Sequence, residues 1–324
     1  MSQILKDRRP SFDDLVKKME MNGYKFLHFE NSCEDPCLPI DVEWNYKDLV
    51  HVGYVHSHMH RQFFYIGENI YTSIDLQKIF GLTLPQSCVF YVTEDNKIVI
   101  QTTLFYLIVF VEIGSKQIGE MQTLTRSRYA VGARSSLFHF LAPIIRYGIN
   151  RNWKKFVADD KSLRVRRGTL RKKGFSFVDV SPIDHRETLN VAGKGIYPPS
   201  AVIHEEVYEF DVSENLSLTR QVGESDHLGV QIRFEPETIR IFPRLCPHRG
   251  ASLDIAGEIG PMLECPWHGR KFHPVATIKN DGSRQVLEGR LHHCVYEGKM
   301  LKVRIKSSVG MDEKFDWTEQ WHRK

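Results

Sequence analysis

The chain has 324 residues, 41% hydrophobic and 26% charged, with a formal net charge of +4. That composition excludes a disordered or low-complexity polypeptide, the charge is too mild to indicate nucleic acid, and the length favours two domains over one. The longest apolar run, Leu104 to Val111, is far short of the roughly 20 residues that cross a bilayer, and Met1 to Pro10 is polar without a signal-like core. A cytoplasmic protein is therefore expected, with free thiols at Cys33, Cys37, Cys88 and Cys294.

Ser11 follows Pro10 and can cap a helix, with Asp14 three residues on. Phe12, Leu15, Val16 and Met19 then repeat at helical spacing until Gly23. The next informative stretch is Asn45-Tyr-Lys-Asp48-Leu-Val-His51-Val-Gly-Tyr-Val-His56. Two imidazoles and a carboxylate on one side of Fe(II) leave open positions for O2. Asp48 and His51 share a helical face, but a straight helix would splay His51 and His56 by about 140°. Convergence needs a break, and Gly53 sits where it would fall. His56 with His60, an i,i+4 pair flanking His58, is a rival that needs no distortion, and a plain helix with solvated histidines remains open.

Lys97 to Ile113 reads as one long strand, its apolar part serving as core or as the lining of an apolar pocket. Ser135 to Arg167 is helical in pattern, interrupted by Pro143 and Gly148. Between Arg146 and Lys173 stand eleven Lys/Arg and two Asp, which fits a solvated helix face or a docking patch for an acidic ferredoxin. Residues 191–203 mix Gly and Pro and mark a connector. Beyond it, Val207 to Val212, Gly229 to Phe234 and Thr238 to Phe242 read as short strands of a small antiparallel β domain.

That domain holds the strongest motif. Cys246-Pro-His248-Arg-Gly is followed by Cys265-Pro-Trp-His268-Gly, with sixteen residues between His248 and Cys265. Two thiolates suit one iron of a [2Fe-2S] cluster and two imidazoles the other, which is the ligation of a Rieske centre. Cys2His2 also satisfies zinc, but zinc fingers pair Cys with Cys and His with His along the chain. Arg249 and Trp267 stand where respiratory-chain Rieske proteins carry an additional disulfide.

The loops CPHRG and CPWHG, together with Asn45, Asp48, His51 and His56 in the pattern N-x2-D-x2-H-x4-H, resemble the Rieske non-haem iron oxygenases. The resemblance implies an α+β chain: an N-terminal helix-grip, START-like catalytic domain with an antiparallel sheet (residues 1–190), a linker (191–203), an all-β Rieske domain (204–306) and a tail (307–324). It implies that His51 and His56 ligate a mononuclear Fe(II), and that Asp48 carries electrons from the cluster by hydrogen-bonding imidazoles at both metals. The family's third ligand is a carboxylate on a late helix, and Phe156-Val-Ala-Asp159-Asp160-Lys-Ser-Leu163 looks like that helix. Asp160 falls on the stripe of Trp153, Phe156 and Leu163, whereas Asp159 is turned about 100° away. A carboxylate on a buried face is costly unless it is paired or coordinates a metal, so Asp160 is the expected ligand and an ion pair with Arg164 the alternative.

The family ordinarily places the Rieske domain first, and here the order is permuted. No G-x-G-x-x-G turn is present, so electrons are expected from an external ferredoxin or NAD(P)H-dependent reductase. The expected activity is O2-dependent hydroxylation of an apolar organic substrate in a homo-oligomer, a trimer by resemblance. Dihydroxylation, demethylation and desaturation share the same iron chemistry. The alternative is an electron carrier whose N-terminal domain binds a ligand but no iron. Trp317 and Trp321 in the tail are expected to pack a terminal helix.

Overall fold

A computed structural model of the chain describes residues 9–48, 51–56, 59–66, 70–79, 82–93, 97–104, 106–135, 137–177, 196–197, 205–223, 229–288, 292–306 and 322–323. His58, Trp317, Trp321 and nearly all of the connector lie outside them, as does the side chain of His60. The chain forms two compact units, the first running to Gly168 and the second beginning at Thr169.

The first unit opens with α1 (Phe12–Met21), whose cap is the one the sequence suggests. Ser11 Oγ accepts from the Asp14 N–H while Asp14 accepts from the Ser11 N–H. Strand β1 (Lys25–Asp35) leads into α2 (Pro39–Lys47) and the single turn α3 (Val52–Val55). A meander follows: β2 (Met59–Ile66), β3 (Ile70–Ile79), β4 (Leu82–Val92), β5 (Ile98–Leu104), β6 (Leu107–Gly119) and β7 (Gln122–Ala133). These strands form one antiparallel sheet in the order β1-β7-β6-β5-β4-β3-β2. A short α4 (Leu137–Phe140) and the long α5 (Ala142–Lys172) come last.

Strand alternation sorts the core between two faces. On one, Phe12 and Val16 of α1 pack against Tyr91, Val99, Phe110 and Ala130. On the other, Val109, Val111, Tyr129 and Val131 meet Ile145, Ile149 and Trp153 of α5. A sheet gripping a long C-terminal helix is the START-like helix-grip arrangement. Val109 and Val111 lie in the cluster that also holds Ile149 and Trp153 of α5.

Two sequence expectations change. Lys97 to Ile113 is not one strand but a tight hairpin, with Leu104 paired to Leu107 and Tyr106 at the tip 91% exposed. An unbroken apolar run carries no turn residue to announce such a reversal. Nor do Pro143 and Gly148 interrupt α5: Pro143 lies in its first turn, where a missing N–H costs nothing, and packing carries the helix through Gly148.

The described residues of the second unit are all β apart from the end of α5 and a short α6 (Val212–Asn215). Strands β8 (Ser176–Phe177) and β9 (Ile196–Tyr197) pair. Five strands form one sheet: β10 (Glu205–Asp211), β20 (Met300–Lys306), β19 (His292–Glu297), β18 (Gln285–Glu288) and β21 (His322–Arg323). Four form another: β11 (Thr219–Val222), β12 (Val230–Phe234), β13 (Thr238–Pro243) and β17 (Ala276–Lys279). Between β13 and β17 a small sheet of β14 (Gly257–Ile259), β15 (Met262–Glu264) and β16 (Lys271–Phe272) stands apart. The core combines Ile232, Ile239, Ile278 and Val303 with Leu170, Phe175 and Phe177 from well before the connector. No helix among the described residues is long and apolar enough to cross a membrane.

Two candidate metal centres

In the first unit, α2 ends with Asp48 as its C-cap and α3 is only four residues long, with His51 as N-cap and His56 as C-cap. The break expected at Gly53 is not seen: Gly53 lies inside the helical turn, and the helix ends instead at His56, whose backbone is extended. Both rings are buried, with centroids 5.5 Å apart. Asp160 of α5 meets them: its Oδ1 lies 3.2 Å from His51 Nε2 and 3.1 Å from His56 Nε2. Nitrogens and oxygen from these three buried side chains lie within 4.8 Å of one another.

The opposite ring nitrogens are also engaged. The His51 Nδ1–H donates to the main-chain carbonyl of Asp48, and the His56 Nδ1–H donates to Asp159 Oδ2 over 3.2 Å. Each ring is thereby oriented with its Nε2 toward Asp160. Phe156, one turn before Asp160, sits with its ring centroid 4.6 Å from that of His56. Asp48 reaches His51 through its backbone carbonyl, and the residue is 6% exposed.

Around this core runs a buried polar seam. Asn45 Nδ2 donates to Asp160 Oδ1 at 3.3 Å, and Asn45 Oδ1 accepts from Arg164 Nε at 2.9 Å. Arg164 pairs with Asp35 at 2.9 Å and with Asp160 Oδ2 at 3.3 Å, while Arg167 pairs with Asp41 at 2.8 Å and stacks on Trp44. Facing a metal site and pairing with Arg164 are therefore not alternatives for Asp160; its two oxygens divide the tasks. Burial would raise the Asp160 pKa, but hydrogen bonds from His51 and His56 and the Arg164 charge outweigh it and hold the carboxyl far below its usual range. The signal for the seam is present in sequence: Asp160, Arg164 and Arg167 repeat at i, i+4, i+7 on an apolar stripe, and charges there require partners. Asp35 and Asp41 carry no such mark. Because Arg164 and Arg167 are internal, the basic run of α5 is in part a set of counter-ions.

In the second unit, two loops of like build carry the Cys/His pairs. Gly250 and Gly269 each follow their cysteine by four residues, adopt left-handed φ (85° and 63°) and donate N–H to that cysteine's carbonyl at 2.9 Å. Each cysteine N–H is in turn held at 2.8 Å, Cys246 by the Ala251 carbonyl and Cys265 by that of Arg270. Gln231 and the Arg244–Asp254 pair brace the first loop. Cys246, Cys265 and His248 are buried, and the rings of His248 and His268 stand 5.0 Å apart, edge to face. The family model for the Rieske [2Fe-2S] domain matches residues 205–288. The chain carries a Rieske domain.

The donor set fits the cluster. Two thiols in hydrogen-bonding contact stand on one side and two imidazoles on the other, each pair split between the two loops. Within the Rieske domain, burial opposes ionisation of Cys246. The Cys265 thiol and the backbone N–H groups of His248 and Arg249 overcome it and lower the Cys246 thiol to about 7. The same contact pushes the Cys265 thiol well up.

No curated protein sequence matches the chain. Among solved structures it is similar to the Zhui aromatase/cyclase from Streptomyces sp. R1128 (11% identity, TM-score 0.38, covering 44% of this chain and 96% of that one). It is also similar to a START superfamily protein from Mycobacterium smegmatis (9%, 0.36, 42% and 96%) and to norcoclaurine synthase from Thalictrum flavum (10%, 0.36, 45% and 90%).

Proposed function

We propose that the chain is a Rieske-type non-haem iron oxygenase, in which His51, His56 and Asp160 hold a mononuclear Fe(II) and the Rieske domain delivers the electrons. One observation carries this reading: two imidazole Nε2 atoms and one carboxylate oxygen converge in a buried site, and the far nitrogen of each ring is already tied. Three such ligands leave the other side of an iron open. Bound there, the metal would supply O2 activation, one oxygen atom entering an organic substrate and the other leaving as water at the expense of two electrons.

The residues themselves hold and tune. Asp159 and the Asp48 carbonyl orient the imidazoles, Asn45 and Arg164 hold the carboxylate, and burial keeps bulk water away. The side chain of Asp48 is the proposed electron link to the cluster, within one chain or between copies in a homo-oligomer. The donor is external, an acidic ferredoxin or a reductase, and the exposed Arg151, Lys154, Lys155 and Lys161 of α5 would steer it. Raising ionic strength should then slow cluster reduction; an insensitive rate removes that docking role.

Iron analysis tests the central reading. An oxygenase should hold about three irons per chain, two in the cluster and one at the triad. A protein with about two, unchanged by Asp160→Ala, would be an electron carrier with a ligand-binding domain. With the iron count established, substrate-stimulated O2 uptake across small organic compounds would identify the reaction.

A further inference from the structure

On the reading that His51, His56 and Asp160 hold a metal, we infer that Arg164 is a positioning residue that confines Asp160 to ligation through one oxygen. The two carboxylate oxygens of Asp160 have different surroundings. Oδ1 faces both Nε2 atoms at 3.2 and 3.1 Å and accepts from Asn45, whereas Oδ2 faces Nη2 of Arg164 at 3.3 Å. The guanidinium cannot follow a carboxylate that rotates. Nη1 is fixed to Asp35 Oδ2 at 2.9 Å, Nε to Asn45 Oδ1 at 2.9 Å, and the guanidinium carbon lies 4.7 Å from the centre of the Tyr46 ring. The Arg164 side chain is fully buried, and its planar fork spends each edge on a different partner.

Bringing Oδ2 onto the metal would strip a contact from a buried cation that water cannot reach, and buried charges pay heavily for lost partners. The arginine thus keeps free a ligand position that a second carboxylate oxygen would otherwise occupy. Asn45 contributes to the same end, since its amide donates to Oδ1 while its carbonyl steadies Arg164.

Cobalt(II), loaded anaerobically into the mononuclear site of the cluster-containing protein, allows an element-specific test, because X-ray absorption at the cobalt edge does not see the cluster iron. In the unaltered protein the carboxylate carbon should lie at the longer distance of one-oxygen ligation. In Arg164→Met/Asp35→Asn, which removes both buried charges together, the carbon should move closer as the second oxygen binds. Arg164→Lys keeps a charge but loses the fork, and should give a mixture of the two modes. Two-oxygen ligation already in the unaltered protein, or identical spectra in all three, overturns the role of Arg164 while leaving the metal site standing. Failure of the unaltered protein to bind cobalt(II) overturns the site and the inference together. The first of these outcomes needs no variant, so misfolding of the double substitution does not shield the proposal.

Discussion

Asp159 and Asp160, adjacent in sequence, take opposite edges of one imidazole: Asp159 Oδ2 lies 3.2 Å from Nδ1 of His56, and Asp160 Oδ1 lies 3.1 Å from its Nε2. Helical phase turns neighbouring residues about 100° apart and would leave Asp159 idle. The ring of His56 inserts between them, so both are used. Asp159→Ala should therefore weaken metal binding at the triad by about 10–100-fold, the usual cost of losing a partner that orients a ligand. Asp159→Asn, which can still accept from Nδ1–H, should lose much less. Competitive metal titration would show it, and equal affinity in all three proteins would mean that the contact orients nothing.

The two centres should be separable. Asp160→Ala or His51→Ala should remove one iron per chain and leave the rhombic EPR signal of the reduced Rieske cluster, whereas Cys246→Ser or Cys265→Ser should abolish that signal. A retained Rieske signal in either cysteine variant contradicts the cluster ligation.

Asp48→Asn leaves the main-chain carbonyl that fixes His51 in place. Metal content and cluster reduction should be unchanged, while product formed in a single turnover from a pre-reduced cluster should fall by orders of magnitude. Turnover at the unaltered rate would mean that the Asp48 side chain is not the electron link.

Arg167 and Asp41 form a pair with both side chains at 0% exposure. Breaking it one-sidedly, as Arg167→Met, should cost about 3–5 kcal/mol of stability in the first unit, and Arg167→Met/Asp41→Asn much less. Trp44 lies 4.1 Å under the guanidinium, so tryptophan fluorescence through a urea titration should follow the event.

Burial, reinforced by the charges of Asp41 and Asp35, pushes the Cys37 thiol up to about 12 from an ordinary 9.0. A raised folded pKa means that its contribution to stability is complete below about pH 9 and is lost as pH climbs toward 12, because only the unfolded thiol ionises readily. Cys37→Ser should flatten that part of the alkaline denaturation curve. In the native protein at pH 8, Cys37 should resist iodoacetamide until the chain is unfolded.

The parts legible in sequence are those where chemistry dictates spacing. C-x-H and C-x-x-H, each with a glycine four residues after its cysteine, mark the cluster loops because only a left-handed residue closes that turn. The capping box at Ser11 and Asp14 is equally local. Choosing between Asp159 and Asp160 from the phase of α5 identified the oxygen that faces both histidines but missed the neighbour, since a helical wheel knows nothing of a ring arriving from another element. Asp35 was illegible because its partner is 129 residues away, and nothing near it signals a buried arginine. The hairpin at Leu104 and Leu107 was hidden because pairing within the sheet, not a turn motif, imposes the reversal.

The inclusion of Leu170, Phe175 and Phe177 in the core of the second unit bears on how the protein can be dissected. A fragment cut at the glycine- and proline-rich connector would leave these three side chains on the wrong piece. The Rieske half would lose two phenylalanines and a leucine from its interior and present the empty slot to solvent, while the other half would carry them as a greasy tail. Limited proteolysis at the connector should therefore yield two nicked pieces that stay together until denatured, and a soluble Rieske fragment should require a start no later than Thr169.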